Sequence, residues 1–170
     1  MPDAQPPSFP AIVHGLSASW SATPWTASEV HYDGESYHGV FDVDLTNGSD
    51  APTPYRPVLH GPVLAQIASF HALASLLYAY AHRLHPAFET VPDIGVGEAR
   101  KRMMVTSMRL SMRRPVSERT VPLRLTLTRL TGRSWQSHRM LFGETRIEVA
   151  EGRQQAWIDG CFNFRDAVDS

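Results

Sequence analysis

The stretch Gly61–Ala81 contains no aspartate, glutamate, lysine or arginine, and this feature constrains the fold more than any other. Its apolar side chains recur at three- and four-residue steps, the period of an α-helix, and Pro62 suits the first turn. Because apolar residues lie on almost every side, we expect protein to enclose this helix. The length approaches that of a membrane span, but Gln66, Ser69 and His71 would be costly in lipid, so we interpret the stretch as a buried core helix.

Alternating apolar and polar residues predict strands on both sides of this helix. One strand pattern covers residues 36–45 and ends at the turn residues 47–50. The later strand patterns cover residues 105–113, 121–127, 135–150 and 156–164. We predict a hairpin turn at residues 131–133 and a bulge or bend at Gly143, and we assign no element to residues 87–102.

The order of these elements is a strand, a long apolar helix and a run of antiparallel strands, which predicts an α+β fold. A sheet of this kind can curl around one helix and bury it, which is the hotdog arrangement. Because such a sheet leaves apolar strand edges, we expect two sheets to pair in a homodimer. Residues 1–20, which begin with a proline-rich stretch, are expected to form a flexible N-terminal arm, and residues 21–170 a single hotdog domain.

The composition argues against several classes of function. A net charge of −1 gives no reason to expect nucleic acid or an anionic membrane as a partner. The single cysteine, Cys161, excludes an internal disulfide and a cysteine-based zinc cluster. His31 and His38 flank Asp33 but lack the third close ligand that a metal would need, so no metal site is expected. The N-terminal residues lack the layout of a secretion signal, so we expect a soluble, cytoplasmic protein.

The most informative short motif is His60-Gly61, immediately before the long helix. The unpaired amides of a first helical turn attract negative charge, and they could stabilise the oxyanion of a thioester carbonyl by a few kcal/mol. Gly61 would allow close backbone approach. His60 could hold or deprotonate a water at neutral pH. The alternative is that His60 is a loop residue that bonds a neighbouring carbonyl.

Residues 59–164 resemble hotdog-fold enzymes that act on acyl-coenzyme A and acyl-carrier-protein thioesters. Residues 60–64 look like the His-Gly-Gly segment at the helix start of ordinary hotdog thioesterases. Those enzymes usually carry an aspartate or glutamate on the central helix, where this chain has Gln66 and Ser69. The resemblance therefore argues against the ordinary carboxylate mechanism.

A better match is the FcoT-like thioesterase group. Some of its members add glycine to an α,β-unsaturated acyl thioester and then hydrolyse it, using a loop histidine and no active-site acid. The similarity covers His60, Phe70, Leu73, Ala74 and the strand segment 109–115. The family loop has a tyrosine six residues before the histidine, whereas Tyr55 stands five before it here, and Pro62 stands where the family has asparagine. The resemblance implies that His60 is the catalytic base.

A third resemblance is to hotdog 3-hydroxyacyl dehydratases. Residues 57–61 are similar to their Pro-Val-x-Pro-Gly segment, and Gln66 stands where their helix glutamate would lie. Since a glutamine cannot exchange protons as an acid does, simple dehydration is the weaker interpretation.

Four further side chains near the helix are candidates for contact with a substrate. Tyr55 could donate a hydrogen bond to a substrate oxygen, or pack on the start of the helix. Gln66 and Ser69 are spaced to share a helix face and could align a water, or bond back to the helix backbone. His71 lies on a different face, where a contact across a dimer competes with substrate binding.

Arginines supply the remaining candidates. Arg113 and Arg114, near a predicted sheet end, could grip the phosphates of coenzyme A or of a carrier protein's phosphopantetheine. The alternative is a solvated charged face. Arg56, in the loop before the helix, is also assigned to substrate binding.

The leading hypothesis is an acyl-thioester hydrolase without a resident cofactor. His60 would activate water, the helix start at Gly61 would hold the carbonyl, and Tyr55 and Ser69 would orient the substrate. The acyl chain would lie between the central helices of two subunits, and an acyl carrier protein is a candidate partner. Two alternatives remain open: a dehydratase or isomerase acting on a polyketide or acyl thioester intermediate, and an acyl-binding hotdog protein that catalyses nothing.

Overall fold

The computed structural model describes residues 5–20, 23–45, 58–135 and 138–165. The helices in these ranges are α1 (Phe9–Ser17), α2 (Gly61–Ala81) and α3 (Gly95–Lys101), with a short 3₁₀ helix at Pro86–Thr90. The strands are β1 (Trp25–Tyr32), β2 (Tyr37–Val43), β3 (Met103–Met112), β4 (Thr120–Trp135), β5 (His138–Val149) and β6 (Gln154–Arg165). Tyr55 and Arg56, both predicted to meet the substrate, lie outside the described residues.

The six strands of the described ranges form one sheet in the order β1-β2-β4-β5-β6-β3, with every neighbouring pair antiparallel. α2 packs against the sheet and contacts strands β2 to β6. By length and mean hydropathy, 1.4, α2 could cross a membrane, but 72% of this apolar window is buried inside the protein. The prediction of an α+β fold built on one buried apolar helix is therefore confirmed.

The N-terminal residues differ from the flexible arm that we predicted, because residues 9–17 form α1. Ser8 caps this helix, and its hydroxyl accepts a hydrogen bond from the Ala11 amide at 3.4 Å. Pro10 stands in the first turn, where the amide that proline lacks has no helical partner in any case. The apolar side chains that α1 buries in the core are Phe9, Ile12, Val13 and Leu16. The proline-rich composition concealed this apolar spacing.

The hairpin turn predicted at residues 131–133 is wrong. β4 continues through Gly132, which pairs with Leu141 of β5, and the ladder extends to Trp135 opposite His138. A Cβ at Gly132 would lie 3.2 Å from a methyl of Leu141. The glycine therefore accommodates a close cross-strand neighbour, and it does not mark a turn.

The bulge predicted at Gly143 is also misplaced, since the irregularity lies in β4, between Leu127 and Arg129. Gly143 pairs with Gly160 across β5 and β6. A Cβ would lie 3.2 Å from Leu76 at Gly143 and 3.3 Å from Leu76 at Gly160. The glycine pair therefore makes room for a leucine of α2.

Candidate functional site

His60 is the residue immediately before α2, and its backbone is held on both sides. Its carbonyl accepts the Leu64 amide at 3.0 Å, the first hydrogen bond of the helix. The amide of Leu59 donates a hydrogen bond to the Val116 carbonyl at 2.7 Å. The side chains of Leu59 and Val116 have no exposed surface. This pairing fixes the chain at the helix start against the segment that follows β3.

The imidazole of His60 is the main chemical feature at this point. Its Nε2 atom is buried and has no hydrogen-bond partner in the part of the chain that the structure describes. The side chain does not cap the helix, although His60 occupies the capping position. Buried polar atoms are nearly always paired in folded proteins, so this unpaired ring nitrogen is unusual and makes His60 the main candidate for chemistry at the helix start.

The first turn of α2 presents an electropositive end beside His60. It contains no acidic residue, and its Gly61 and Val63 amides lack helical acceptors while Pro62 has no amide. A Cβ at Gly61 would meet the sulfur of Met112 at 3.8 Å, an ordinary contact distance. Met112 thus borders the helix start, at the end of β3.

One face of α2 remains uncovered within the protomer. Its half-buried or exposed residues are Pro62, Ala65, Gln66, Ser69 and Leu73. These positions follow the helical repeat and form a stripe along the first half of the helix. Gln66 and Ser69 therefore share a face, as their spacing predicts.

β3 is an edge strand that exposes apolar side chains beside this stripe. Met108 pairs with the buried Ile158 and Met112 with the buried Gln154, so both methionines lie on the sheet face that packs against α2. They are nevertheless 38% and 47% exposed. Because Met112 borders Gly61 at the helix start, the exposed methionines and the uncovered stripe of α2 together form a partly apolar surface strip.

Arg113 and Arg114 lie close to the helix start. Both are exposed, and the chain around them is anchored by Met112 against Gly61 and by Val116 against Leu59. They line a cavity of about 180 Å³ together with Arg153 and residues 151–152. Since Arg153 is paired with Glu118 at 2.8 Å, the two predicted arginines have the more available charges.

His71 does not belong to this site. The side chain has no exposed surface, and its Nε2 bonds to the Tyr37 carbonyl at 3.0 Å. A carbonyl can only accept, so Nε2 carries the proton and Nδ1, buried without a partner among the described residues, is the acceptor. Burial lowers the pKa of His71 to about 4. His71 therefore has no accessible surface in this protomer for the predicted contact with substrate or with a second subunit.

The histidines of the β1–β2 hairpin form a separate cluster. His31 stacks on His38 with ring centres 4.6 Å apart, and His38 Nε2 lies 2.7 Å from a carboxylate oxygen of Asp33. Over the described ranges, no three histidine, cysteine or acidic side chains are grouped to hold a metal. A larger cavity, about 650 Å³, lies between α1 and β1, but none of the predicted site residues that the structure describes lines it.

Two features of the site have no local signal in the sequence. The indole Nε1 of Trp25 donates to the side-chain oxygen of Gln66 at 3.3 Å, a contact between residues 41 positions apart. The exposure of Met108 and Met112 depends on β3 being at a sheet edge, and alternation along a strand does not encode strand order.

Solved structures share this architecture. A proposed thioesterase from Syntrophus aciditrophicus superposes with a TM-score of 0.56 at 13% identity, covering 82% of this chain and 84% of that one. One from Shewanella oneidensis gives 0.53 at 10% identity, covering 91% and 97%. One from Ralstonia eutropha, related to phenylacetic acid degradation, gives 0.52 at 14% identity, covering 91% and 99%.

No protein-family model and no curated protein sequence matches the chain. At 10–14% identity, the likeness to these solved structures establishes the fold alone. The antiparallel sheet with α2 packed against it agrees with the architecture that the sequence predicts. The chain therefore has the hotdog fold of these thioesterase-like proteins.

Proposed function

We propose that this protein is an acyl-thioester hydrolase of the FcoT-like type in which His60 is the general base. The proposal rests on the buried Nε2 of His60, which has no hydrogen-bond partner among the described residues and lies at the start of a helix without an acidic residue. The likeness of the fold to proposed thioesterases supports the same class of reaction.

The geometry supports a single-base mechanism. Water held by His60 Nε2 attacks the thioester carbonyl carbon, and the imidazole takes the proton. The oxyanion lies against the amides at the start of α2, near Gly61, that have no acceptor within the helix. When the tetrahedral intermediate collapses, the carbon–sulfur bond breaks and the imidazolium returns the proton to the thiolate. Ser69 and Tyr55 are proposed to orient the substrate.

The partly apolar surface strip beside α2 is proposed to hold the acyl chain. A second protomer would cover it, because Met108 and Met112 leave apolar surface at the free edge of β3. We therefore propose a homodimer in which the β3 edges meet. In that arrangement the acyl chain would lie between the two central helices.

The thiol carrier is proposed to lie along Arg113 and Arg114, whose guanidinium groups suit phosphate. Coenzyme A or the phosphopantetheine of an acyl carrier protein would be part of the substrate and not a resident cofactor. Addition of an amine to an enoyl thioester before hydrolysis is a proposed extension, since the same imidazole could deprotonate the amine.

The experiment is to incubate the protein with saturated and enoyl thioesters of coenzyme A and to follow thiol release. We expect hydrolysis that falls at least a hundredfold in a His60→Ala variant, because one general base contributes about 10²–10⁴. His14→Ala, on the exposed side of α1, is the control and keeps wild-type activity. Full activity in the His60 variant would refute the mechanism.

Mass spectrometry separates the alternatives when a 3-hydroxyacyl thioester of coenzyme A is added to the set of substrates. Loss of water with the thioester intact would show that the protein is a dehydratase and not a hydrolase. Tight binding of acyl-coenzyme A without any turnover would replace it by an acyl-binding protein, for which the absence of a carboxylate from α2 is the supporting observation.

A further inference from the structure

The side-chain amide of Gln66 has an orientation that the chemistry of its neighbour determines. An indole N–H can only donate, so the atom of Gln66 that lies 3.3 Å from Trp25 Nε1 must be the carbonyl oxygen. The amide nitrogen, with its two hydrogens, is therefore directed away from Trp25. No acceptor for these hydrogens exists in the part of the chain that the structure describes.

Trp25 is held rigidly enough to impose this orientation. Its side chain is 4% exposed. Its ring lies 4.9 Å from Phe70, 5.7 Å from Phe41 and 5.8 Å from Trp20, measured between centroids. Aromatic rings packed at these distances restrain each other's rotation, so the indole N–H is a fixed donor at the edge of the core.

Gln66 itself is exposed, and it lies on the uncovered stripe of α2 beside Ser69. The Ser75 hydroxyl bonds back to the helix carbonyl of His71 at 2.8 Å, whereas Ser69 forms no such bond within the described residues. The stripe therefore offers two neutral donors, an amide and a hydroxyl, on the same face of α2.

We propose that Trp25 is a positioning residue that fixes Gln66 as a hydrogen-bond donor to an oxygen of the bound acyl thioester. The substrate contact rests on the proposed function, whereas the orientation of Gln66 by Trp25 does not. Gln66 then stands in place of a helix acid. Its amide donates a hydrogen bond to a substrate oxygen but does not transfer a proton. Trp25 acts only through Gln66 and does not touch the substrate.

The orientation is tested first by NMR of ¹⁵N-labelled protein, with the Gln66 side-chain signal assigned from a Gln66→Ala variant. Trp25→Phe replaces the indole by a smaller aromatic ring and removes the donor, so the Gln66 amide signal should move. Trp20→Phe is the matched control, since Trp20 packs in the same cluster without bonding to Gln66, and it should leave the signal in place. If the Gln66 signal has the same chemical shift in the Trp25→Phe variant as in the wild type, the proposal is overturned, whatever the activity.

The donor role is tested by kinetics. Gln66→Glu keeps the shape and the acceptor for Trp25 but has no donor at neutral pH, so kcat/KM should fall about three- to tenfold, as in Gln66→Ala. Trp25→Phe should give a similar loss, and the double variant Trp25→Phe/Gln66→Ala should lose no more than either single variant. Unchanged or higher activity in Gln66→Glu would overturn the donor role. If the wild type hydrolyses no thioester, the proposed function and the donor role to its substrate both fail, while the NMR result still decides the orientation.

Discussion

Gly39 of β2 and His71 of α2 are packed so closely that a Cβ at residue 39 would lie 2.9 Å from the imidazole Cε1. The same Cβ would also lie 2.8 Å from a ring carbon of Phe41. Both neighbours are fully buried, so neither can move without disturbing the core.

Gly39→Ala is therefore expected to destabilise the fold by about 1–3 kcal/mol, the usual cost of overpacking a core. Gly15→Ala, in α1 with no described atom within 4 Å of an added Cβ, is the control and should be neutral or slightly stabilising. Denaturant unfolding at pH 8, followed by circular dichroism, measures both. Equal stability of the Gly39→Ala variant and the wild type would show that the contact is looser than described.

Stability should also depend on pH through His71. Because burial lowers the pKa of His71 to about 4, below its ordinary value of 6.5, the unfolded chain binds the proton more tightly than the folded one. This contribution to stability is complete above pH 6.5 and is lost as the pH falls towards 4, by up to about 3 kcal/mol. The wild type should therefore unfold more easily at pH 5 than at pH 7.5.

His71→Gln removes the titrating group while leaving a donor for the Tyr37 carbonyl, so the difference in unfolding free energy between pH 7.5 and pH 5 should shrink. His14→Gln, an exposed histidine, should leave the difference unchanged. If His71→Gln and the wild type lose equal stability on acidification, another group is responsible.

The proposed dimer can be tested at the edge of β3. Met108→Asp places a charge on apolar surface that the second protomer would bury, and we expect the protein to become monomeric. Thr26→Asp, exposed on the opposite edge strand β1, is the matched control and should keep the wild-type mass. Sedimentation equilibrium gives the masses, and a dimeric Met108→Asp variant would place the interface elsewhere.

The role of the arginines can be separated from that of the base. The double variant Arg113→Ala/Arg114→Ala should raise KM for an acyl-coenzyme A about three- to tenfold with little change in kcat, because exposed charge pairs contribute modestly. An N-acetylcysteamine thioester lacks the carrier's phosphates, so its kinetics should not change. Arg129→Ala, an exposed arginine paired with Glu144, serves as the control. An equal KM increase for both substrates would argue against phosphate binding.

The sequence predicts the central helix well because a charge-free stretch leaves few other structures for Gly61–Ala81. It also locates most strands, since alternation is a local property. It misses α1, whose apolar spacing is concealed by prolines, and it misassigns Gly132, since glycine also accommodates a close neighbour. In the candidate site, the position of His60 at the helix start follows from sequence. The Trp25–Gln66 bond and the exposed β3 edge depend on tertiary pairing, which local patterns do not encode.

The glycine pair under Leu76 has a consequence for the far end of the helix. Since Gly143 and Gly160 both lie against the methyl groups of Leu76, they limit how closely α2 packs on the sheet about three quarters of the way along the helix. Leu76 and His60 are about 24 Å apart along the axis, at 1.5 Å per residue. A side chain at either glycine would push Leu76 away from the sheet. Because the helix is stiff, its amino end would tilt as well, so these two glycines influence the distance of the His60 imidazole from the sheet.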